Sequence, residues 1–382
     1  MPRRTHLVIE NDVFTRVLEI ILDPTCPQEK IDAFADFFAH DAPNFLDFAK
    51  NLRNTCKNLG ECQITYVDSQ EELQATLKDA DAAIIESLSF GRAEIACAPR
   101  LRAVQKYGYI TKNIDLIACS NAQIKVLTLR RRANIACAEQ AMMMILALAK
   151  RLPELNGLTT VKRLENGGFK PRAFDKRYTP SGNWARVGGI TCLYGSVIGI
   201  IGMGEIGQEI AKRVAALGMN VIAFDPYANT ENLAKLSIKV VDLDTLSKSS
   251  DFIVMAAKVT SESTGVFSAK QFAQMKSTAY FINTARAALV DYDALIEVLS
   301  ANKIAGAALD VYPTEPLPSQ SALRKLNNVV LSPHLAGATH QVVNHHSKMV
   351  VDDLIDILNK KTVKRVSNPE VLEQFMKNGG LS

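Results

Sequence analysis

Gly195 to Asp225 reads GSVIGIIGMGEIGQEIAKRVAALGMNVIAFD, and three patterns follow one another within it. Val197 to Ile201 is a nearly all-apolar run that suits a strand buried on both faces of a parallel sheet. Gly202, Met203, Gly204, Glu205, Ile206 and Gly207 then spell a full G-x-G-x-x-G. Behind it Ile210, Val214 and Leu217 recur at helical spacing, and Gly218 is placed to end that helix. A second strand, Asn220 to Phe224, delivers Asp225.

Each part has a physical job. Gly202 permits a tight strand-to-helix turn, Gly204 lets a pyrophosphate approach the backbone, and Gly207 lets helix and strand pack closely. The helix N-terminus, opened by Glu205 and Ile206, offers N–H groups and partial positive charge to phosphates. Asp225 lies roughly 20 residues beyond the glycines, where a carboxylate accepts hydrogen bonds from ribose hydroxyls. A 2′-phosphate would meet that charge, so the pattern predicts a dinucleotide site for NAD rather than NADP.

Outward from this unit, the chain of 382 residues has room for two domains. Hydrophobic residues make up 47% and charged residues 22%, an ordinary globular balance. A formal net charge of +4 is too small to argue for nucleic acid or an anionic membrane surface. Seven cysteines without a C-x-x-C fit reduced thiols better than a disulfide framework. The N-terminus lacks the apolar core of a signal peptide, and no apolar run approaches the roughly 20 residues of a membrane span. The expectation is a cytoplasmic protein.

The spacing predicts α/β structure throughout. Before residue 130, strands are expected at Arg16–Leu22, Cys62–Val67, Ala82–Glu86, Leu101–Tyr107 and Ile124–Leu129, with helical patterns at Gln70–Lys78 and Asn113–Cys119. Gln28 to Leu59 reads as one or two extra helices. Asn134 to Leu152 is a strong, mostly apolar helix that Pro153 is expected to end. Residues 154–194 are basic and weakly periodic; a loop of that length needs support, and a subunit interface is a natural place for it. Later strands are expected at Phe252–Met255, Ala279–Asn283, Ala305–Leu309 and Val329–Leu331, followed by an amphipathic helix near Gln341–Leu358.

Three clusters fall where strands end: Arg286 in FINTARAALVD, Asp310 and Glu315 in GAALDVYPTEPLP, and His334 in LSPHLAGAT. In an open parallel sheet, ligands bind outside the carboxyl ends of the strands, which would bring all three together. Hydride transfer to a carbonyl needs a proton donor at the oxygen, a role His334 can fill near neutral pH. Glu315 would orient the ring and favour its protonated form. Arg286 can clamp a substrate carboxylate with two hydrogen bonds.

NTAR followed by LVD, ALDVYPTEP and SPHLAG, behind GMGEIG, resemble the D-isomer-specific 2-hydroxyacid dehydrogenase family; LRAVQKYGYITKNIDL and NIACAEQAMMMILALAKRL are similar to its upstream segments. The resemblance implies two Rossmann-like α/β domains with parallel sheets and an active site in the cleft between them. It implies a substrate domain of residues 1–132 completed by 336–382, and an NAD-binding domain of 133–335 whose 154–194 arm dimerises the chain. It also implies NAD as cofactor, a small 2-oxo or 2-hydroxy acid as substrate and a homodimer. By the same resemblance Arg286 binds the substrate carboxylate and carbonyl, Glu315 partners the histidine, and His334 is the acid/base. Thr284 and Asp310 belong to the cofactor site, with Asp310 at the nicotinamide carboxamide, while Tyr107, Gly108, Tyr109 and Ile110 meet the substrate carboxylate.

This chain departs from the family pattern at several places. Glu205 stands where Arg is common, Ala287 and Ile110 replace glycines, Gln140 replaces a common His, and Ala257-Lys258-Val259 occupies a place that often reads His-x-Pro. Glu315 in place of Gln argues against the formate dehydrogenase branch; the phosphite-oxidising branch shares the Arg, Glu and His. Family members that act as NAD(H)-sensing corepressors supply a non-enzymatic alternative. Arg130, Arg131 and Arg132 form either a solvated basic turn or a device that selects a second acidic group. His340, His345 and His346 lack the spacing and companions of a metal site, and no metal is expected.

Overall fold

The structure is a computed structural model that describes residues 4–12, 15–55, 62–172, 177–178, 182–339, 348–354, 356 and 366–368. The chain divides into two compact units, one gathering residues up to Asn134 with those from Ala338 onward, the other running from Ile135 to Gly337.

The first unit holds five strands, β1 (Thr5–Glu10), β2 (Cys62–Val67), β3 (Ala82–Ile85), β4 (Ala103–Lys106) and β5 (Lys125–Thr128). They form one sheet in the order β2-β1-β3-β4-β5, every pair parallel. The order reverses between β1 and β3, which makes the carboxyl ends of those two strands the place where such a sheet receives ligands. β3 and β4 are buried along their whole length, as parallel strands covered on both faces must be. Residues 366–368 close the β5 edge: Val366 bridges to Leu127, and the buried Asn368 accepts from Val126 N–H and donates to the Ile124 carbonyl.

Two expectations are corrected here. Arg16–Leu22 is not a strand; Val17–Leu22 is a helix whose apolar residues pack on the extra helices Gln28–Phe38 and Phe45–Thr55. A short apolar run carries no period that separates helix from buried strand, and β1 lies earlier, in THLVIE. Pro153 does not end the long helix. That helix, Arg132–Ala149, stops before Arg151, which sits at φ +51°, while Pro153 lies in the first turn of a short following helix, Leu152–Leu155.

The second unit holds β6 (Val197–Ile201), β7 (Asn220–Phe224), β8 (Lys239–Val240), β9 (Phe252–Met255), β10 (Tyr280–Asn283), β11 (Gly306–Leu309) and β12 (Val329–Leu331). Their order is β12-β11-β10-β9-β6-β7-β8, all parallel. The sheet reverses beside β6, so the crevice of this doubly wound unit opens at the carboxyl end of the strand that leads into the glycines. The helix Arg132–Ala149 places Ala138, Ala141, Met144, Ile145 and Leu148 in the core of this unit, while Met143 and Leu146 stay exposed.

Gly207 shows why glycine is needed at the packing position. A Cβ there would lie 2.1 Å from the Gly202 carbonyl oxygen, a backbone atom with nowhere to go. Gly207→Ala is expected to cost about 3 kcal/mol, read as a fall of roughly 6–12 °C in Tm with loss of dinucleotide binding.

Between Arg151 and Gly195 the described residues form little regular structure beyond the short helices Leu152–Leu155 and Val161–Asn166, and Tyr178 and Trp184 are exposed. The expected helix near Gln341–Leu358 is described in part, as helical residues 348–354. His340, His345 and His346 lie outside the described residues. No described helix is long and apolar enough to cross a membrane.

Candidate functional site

The glycine loop is built by its own backbone and by Asp225. Gly202 holds φ +94°, and a Cβ on it would fall 2.5 Å from the Ala257 backbone. The helix Glu205–Ala216 starts at Gly204 with no side chain capping its first turn. A Cβ at Gly204 would touch no protein atom, so close packing does not demand glycine there. Asp225 accepts from Met203 N–H at 2.8 Å through one oxygen and from Tyr227 N–H at 2.8 Å through the other. The carboxylate therefore fixes the loop, and each oxygen keeps a second acceptor site.

Beside it, β10 ends in Asn283 and Thr284. Asn283 is fully buried; its amide donates to the Arg286 carbonyl and its oxygen accepts from Ala285 N–H, which bends the chain so that Arg286 emerges exposed in extended conformation. Thr284 is nearly buried, and its hydroxyl oxygen has no partner among the described residues. A buried hydroxyl without a partner is costly, and at the carboxyl edge of a dinucleotide-type sheet it fits a group supplied by a cofactor.

The segment after β12 carries His334, whose backbone sits at φ +54°. That region costs a non-glycine residue about 1–2 kcal/mol and persists where surroundings impose it. The surroundings are Asp310, fully buried at the end of β11. Its oxygens accept from Ser332 Oγ, from Leu335 N–H at 3.0 Å and from Ala336 N–H at 2.8 Å, so one carboxylate grips the chain on both sides of His334. Gln140 donates to Ser332 Oγ at 3.1 Å, and the Tyr312 hydroxyl donates to the Ser332 carbonyl at 2.8 Å. Burial, with the Asp310 charge nearby, pushes the Tyr312 hydroxyl up to about 12, so it remains a donor.

His334 Nδ1 lies 2.6 Å from Glu315 Oε2, and the other Glu315 oxygen accepts from Tyr312 N–H at 2.9 Å. Burial alone would raise the Glu315 carboxyl, but His334, the Tyr312 N–H and the Arg286 charge together hold it below its ordinary value. The structure thus brings Arg286, Glu315 and His334 into one electrostatic neighbourhood. Asp310 faces the 332–336 loop with both oxygens. Asn283, Ser332 and Tyr312, which support the site, carry no local sequence signal of that role.

In the first unit, the loops after β3, β4 and β5 meet at the carboxyl edge of their sheet. Tyr107 is buried, and Gly108 carbonyl accepts from Leu129 N–H at 2.9 Å. The arginine run resolves into unlike members: Arg130 and Arg132 are exposed, whereas Arg131 is buried, 4.7 Å above the Tyr107 ring and 2.5 Å from Glu86 Oε1.

A dinucleotide-binding doubly wound unit with a carboxylate-backed histidine defines the class, and comparison with known proteins narrows it. Residues 142–336 match the model of the D-isomer specific 2-hydroxyacid dehydrogenase NAD binding domain. Over 320 residues the chain is 33% identical to D-3-phosphoglycerate dehydrogenase of Archaeoglobus fulgidus, covering 83% of this chain and 57% of that protein. It is 32% identical over 314 residues to the enzyme of the same name from Methanocaldococcus jannaschii, covering 82% of this chain and 56% of that one. The chain therefore spans little more than half the length of these relatives. The crystal structure of the PH0520 protein from Pyrococcus horikoshii OT3 shares the fold at TM-score 0.57 and 22% identity, over 97% of both chains. The chain belongs to the D-isomer-specific 2-hydroxyacid dehydrogenase family, and its second unit is that family's NAD-binding domain.

Proposed function

We propose that this protein interconverts a small 2-oxo acid and its D-2-hydroxy acid with NAD. The observation that carries the reading is the His334–Glu315 pair at 2.6 Å, mounted beside Arg286 at the carboxyl edge of the NAD-binding sheet. Bound NAD supplies the hydride acceptor and, reduced, the hydride donor. The chain's residues do the rest. The loop at Gly202–Gly207 and the start of the helix Glu205–Ala216 hold the pyrophosphate, Asp225 the ribose, and Thr284 and Asp310 belong to the nicotinamide end. Arg286 and the backbone of Tyr107, Gly108, Tyr109 and Ile110 hold the substrate carboxylate, with Arg286 also polarising the carbonyl. In reduction, His334 gives a proton from Nε2 to the carbonyl oxygen, and Glu315 at Nδ1 stabilises the imidazolium and fixes the ring.

The test follows NADH absorbance with glyoxylate, hydroxypyruvate, pyruvate, phenylpyruvate, oxaloacetate and 2-oxoglutarate. Turnover of at least one supports the reading. Absence of turnover in both directions, with NADH bound, would favour the corepressor-like alternative.

Glu205 modifies the cofactor side of this proposal. It places a carboxylate in the first turn of the helix that would hold the pyrophosphate. Glu205→Arg is expected to tighten NADH binding about five- to tenfold, measured by fluorescence titration. The homodimer completes the proposal, with the 154–194 arm as its interface; light scattering is expected to give twice the 41.8 kDa chain mass.

A further inference from the structure

The first unit's sheet reverses between β1 and β3, and an acidic residue stands at the end of each: Glu10 on β1 and Glu86 just past β3. Glu10 is half-buried and turned onto the chain that follows β3. It accepts from the N–H groups of Glu86 at 2.6 Å, Ser87 at 2.8 Å and Leu88 at 3.0 Å, and from the Ser87 hydroxyl. Four donors on one carboxylate fix the segment Glu86–Leu88 against the sheet. The Glu86 side chain rises from that rigid base beside the Tyr107 loop.

Two cations at this edge are turned onto Glu86. Lys106 Nζ donates to the Glu86 carbonyl, and Arg131 NH1 donates to its carboxylate while the guanidinium covers the Tyr107 ring. The Arg131 side chain is only 10% exposed, whereas that of Glu86 is 36% exposed. Asp12 adds further negative charge felt at Tyr107. Of this ion pair, the carboxylate is therefore the more exposed member, with the buried arginine paired behind it. A carboxylate only accepts hydrogen bonds.

We propose that Glu86, set by Glu10 and Arg131, is a specificity-determining residue that selects 2-oxo acids bearing a hydroxyl donor and rejects those carrying a second anionic group, phosphate or carboxylate. The proposal rests on the dehydrogenase reading of the site. It runs against one of the two readings of the arginine run, selection of a second acidic group, and it separates this chain from relatives whose names specify a phosphorylated substrate.

The experiment compares hydroxypyruvate with 3-phosphohydroxypyruvate and oxaloacetate, for the native chain and Glu86→Gln, and measures binding of D-glycerate, 3-phospho-D-glycerate and D-malate to the NAD-loaded protein by calorimetry. The native chain is expected to favour hydroxypyruvate in kcat/KM by at least about 100-fold, since like charges brought together at a binding surface are strongly disfavoured. Glu86→Gln removes the exposed negative charge that pairs with Arg131 and is expected to narrow that ratio at least tenfold, with NADH affinity unchanged. A native preference for either dianionic acid, or a ratio that Glu86→Gln leaves in place, would overturn the proposal. If no oxo acid turns over, the calorimetry still decides: D-glycerate binding tighter than the two anionic acids supports the Glu86 assignment and removes the dehydrogenase reading. Binding of none of them removes both.

Discussion

His334→Ala is expected to lower kcat for reduction of the accepted 2-oxo acid by about 10³-fold, the range for removing a positioned acid. NADH affinity should stay within about twofold, because the imidazole pairs with Glu315 and holds no part of the glycine loop. Glu315→Gln tests the partner. Burial would raise the Glu315 carboxyl, yet His334, the Tyr312 N–H and Arg286 hold it below its ordinary value of 4.5. A depressed carboxyl contributes its full stabilisation above the ordinary value and loses it only as pH falls through the lowered one. The carboxylate is therefore anionic throughout the neutral range and stays available to the His334 ring at Nδ1. With Gln at 315 that anionic partner is gone, and kcat should drop about 10²-fold. Stopped-flow rates read the loss; a native kcat in Glu315→Gln would sink the assignment.

The three side chains proposed to act on the substrate were legible because their chemistry restricts their type. A proton donor near neutral pH, a carboxylate to back it and a carboxylate clamp leave few residues to choose from, and each stood just past an apolar run. The parallel strands were legible for a related reason: strands buried on both faces read as continuous apolar runs, as Phe252–Met255 and Val197–Ile201 do. The same rule misled at VLEIIL. In Val17–Leu22 every residue but Glu19 is buried, so the helix shows no polar stripe.

The supports were illegible because each joins residues distant in sequence. Glu10 holds a segment that follows β3, and Ser332 reaches back to Asp310 and Gln140. Nothing in the neighbourhood of Glu10 marks it as anything but a solvated strand end. The arginine run makes the point most directly: three identical side chains in a row, of which the turn after β5 sends only Arg131 inward to Glu86 and Tyr107. Sequence can offer the charge, but its partner decides whether the charge faces a ligand.

Asp310→Asn carries the largest expected loss of stability among these side chains. Asp310 is fully buried, and Ser332 Oγ, Leu335 N–H and Ala336 N–H all donate to it. An amide in the same place keeps one acceptor oxygen and turns an NH2 toward donors, so at least one donor is left facing another. Loss of charge-assisted bonds in a buried site amounts to about 3 kcal/mol. With a unit of this size, that is a fall of roughly 6–12 °C in Tm. Ser332→Ala removes only the one hydroxyl donor and should cost about 1 kcal/mol, which separates the grip on the backbone from the side-chain contact. The left-handed backbone at His334 is imposed by that grip, so Asp310→Asn should also depress kcat at temperatures where the protein is fully folded. If Asp310→Asn melts within about 1 °C of the native protein, the carboxylate is not what holds His334 in place.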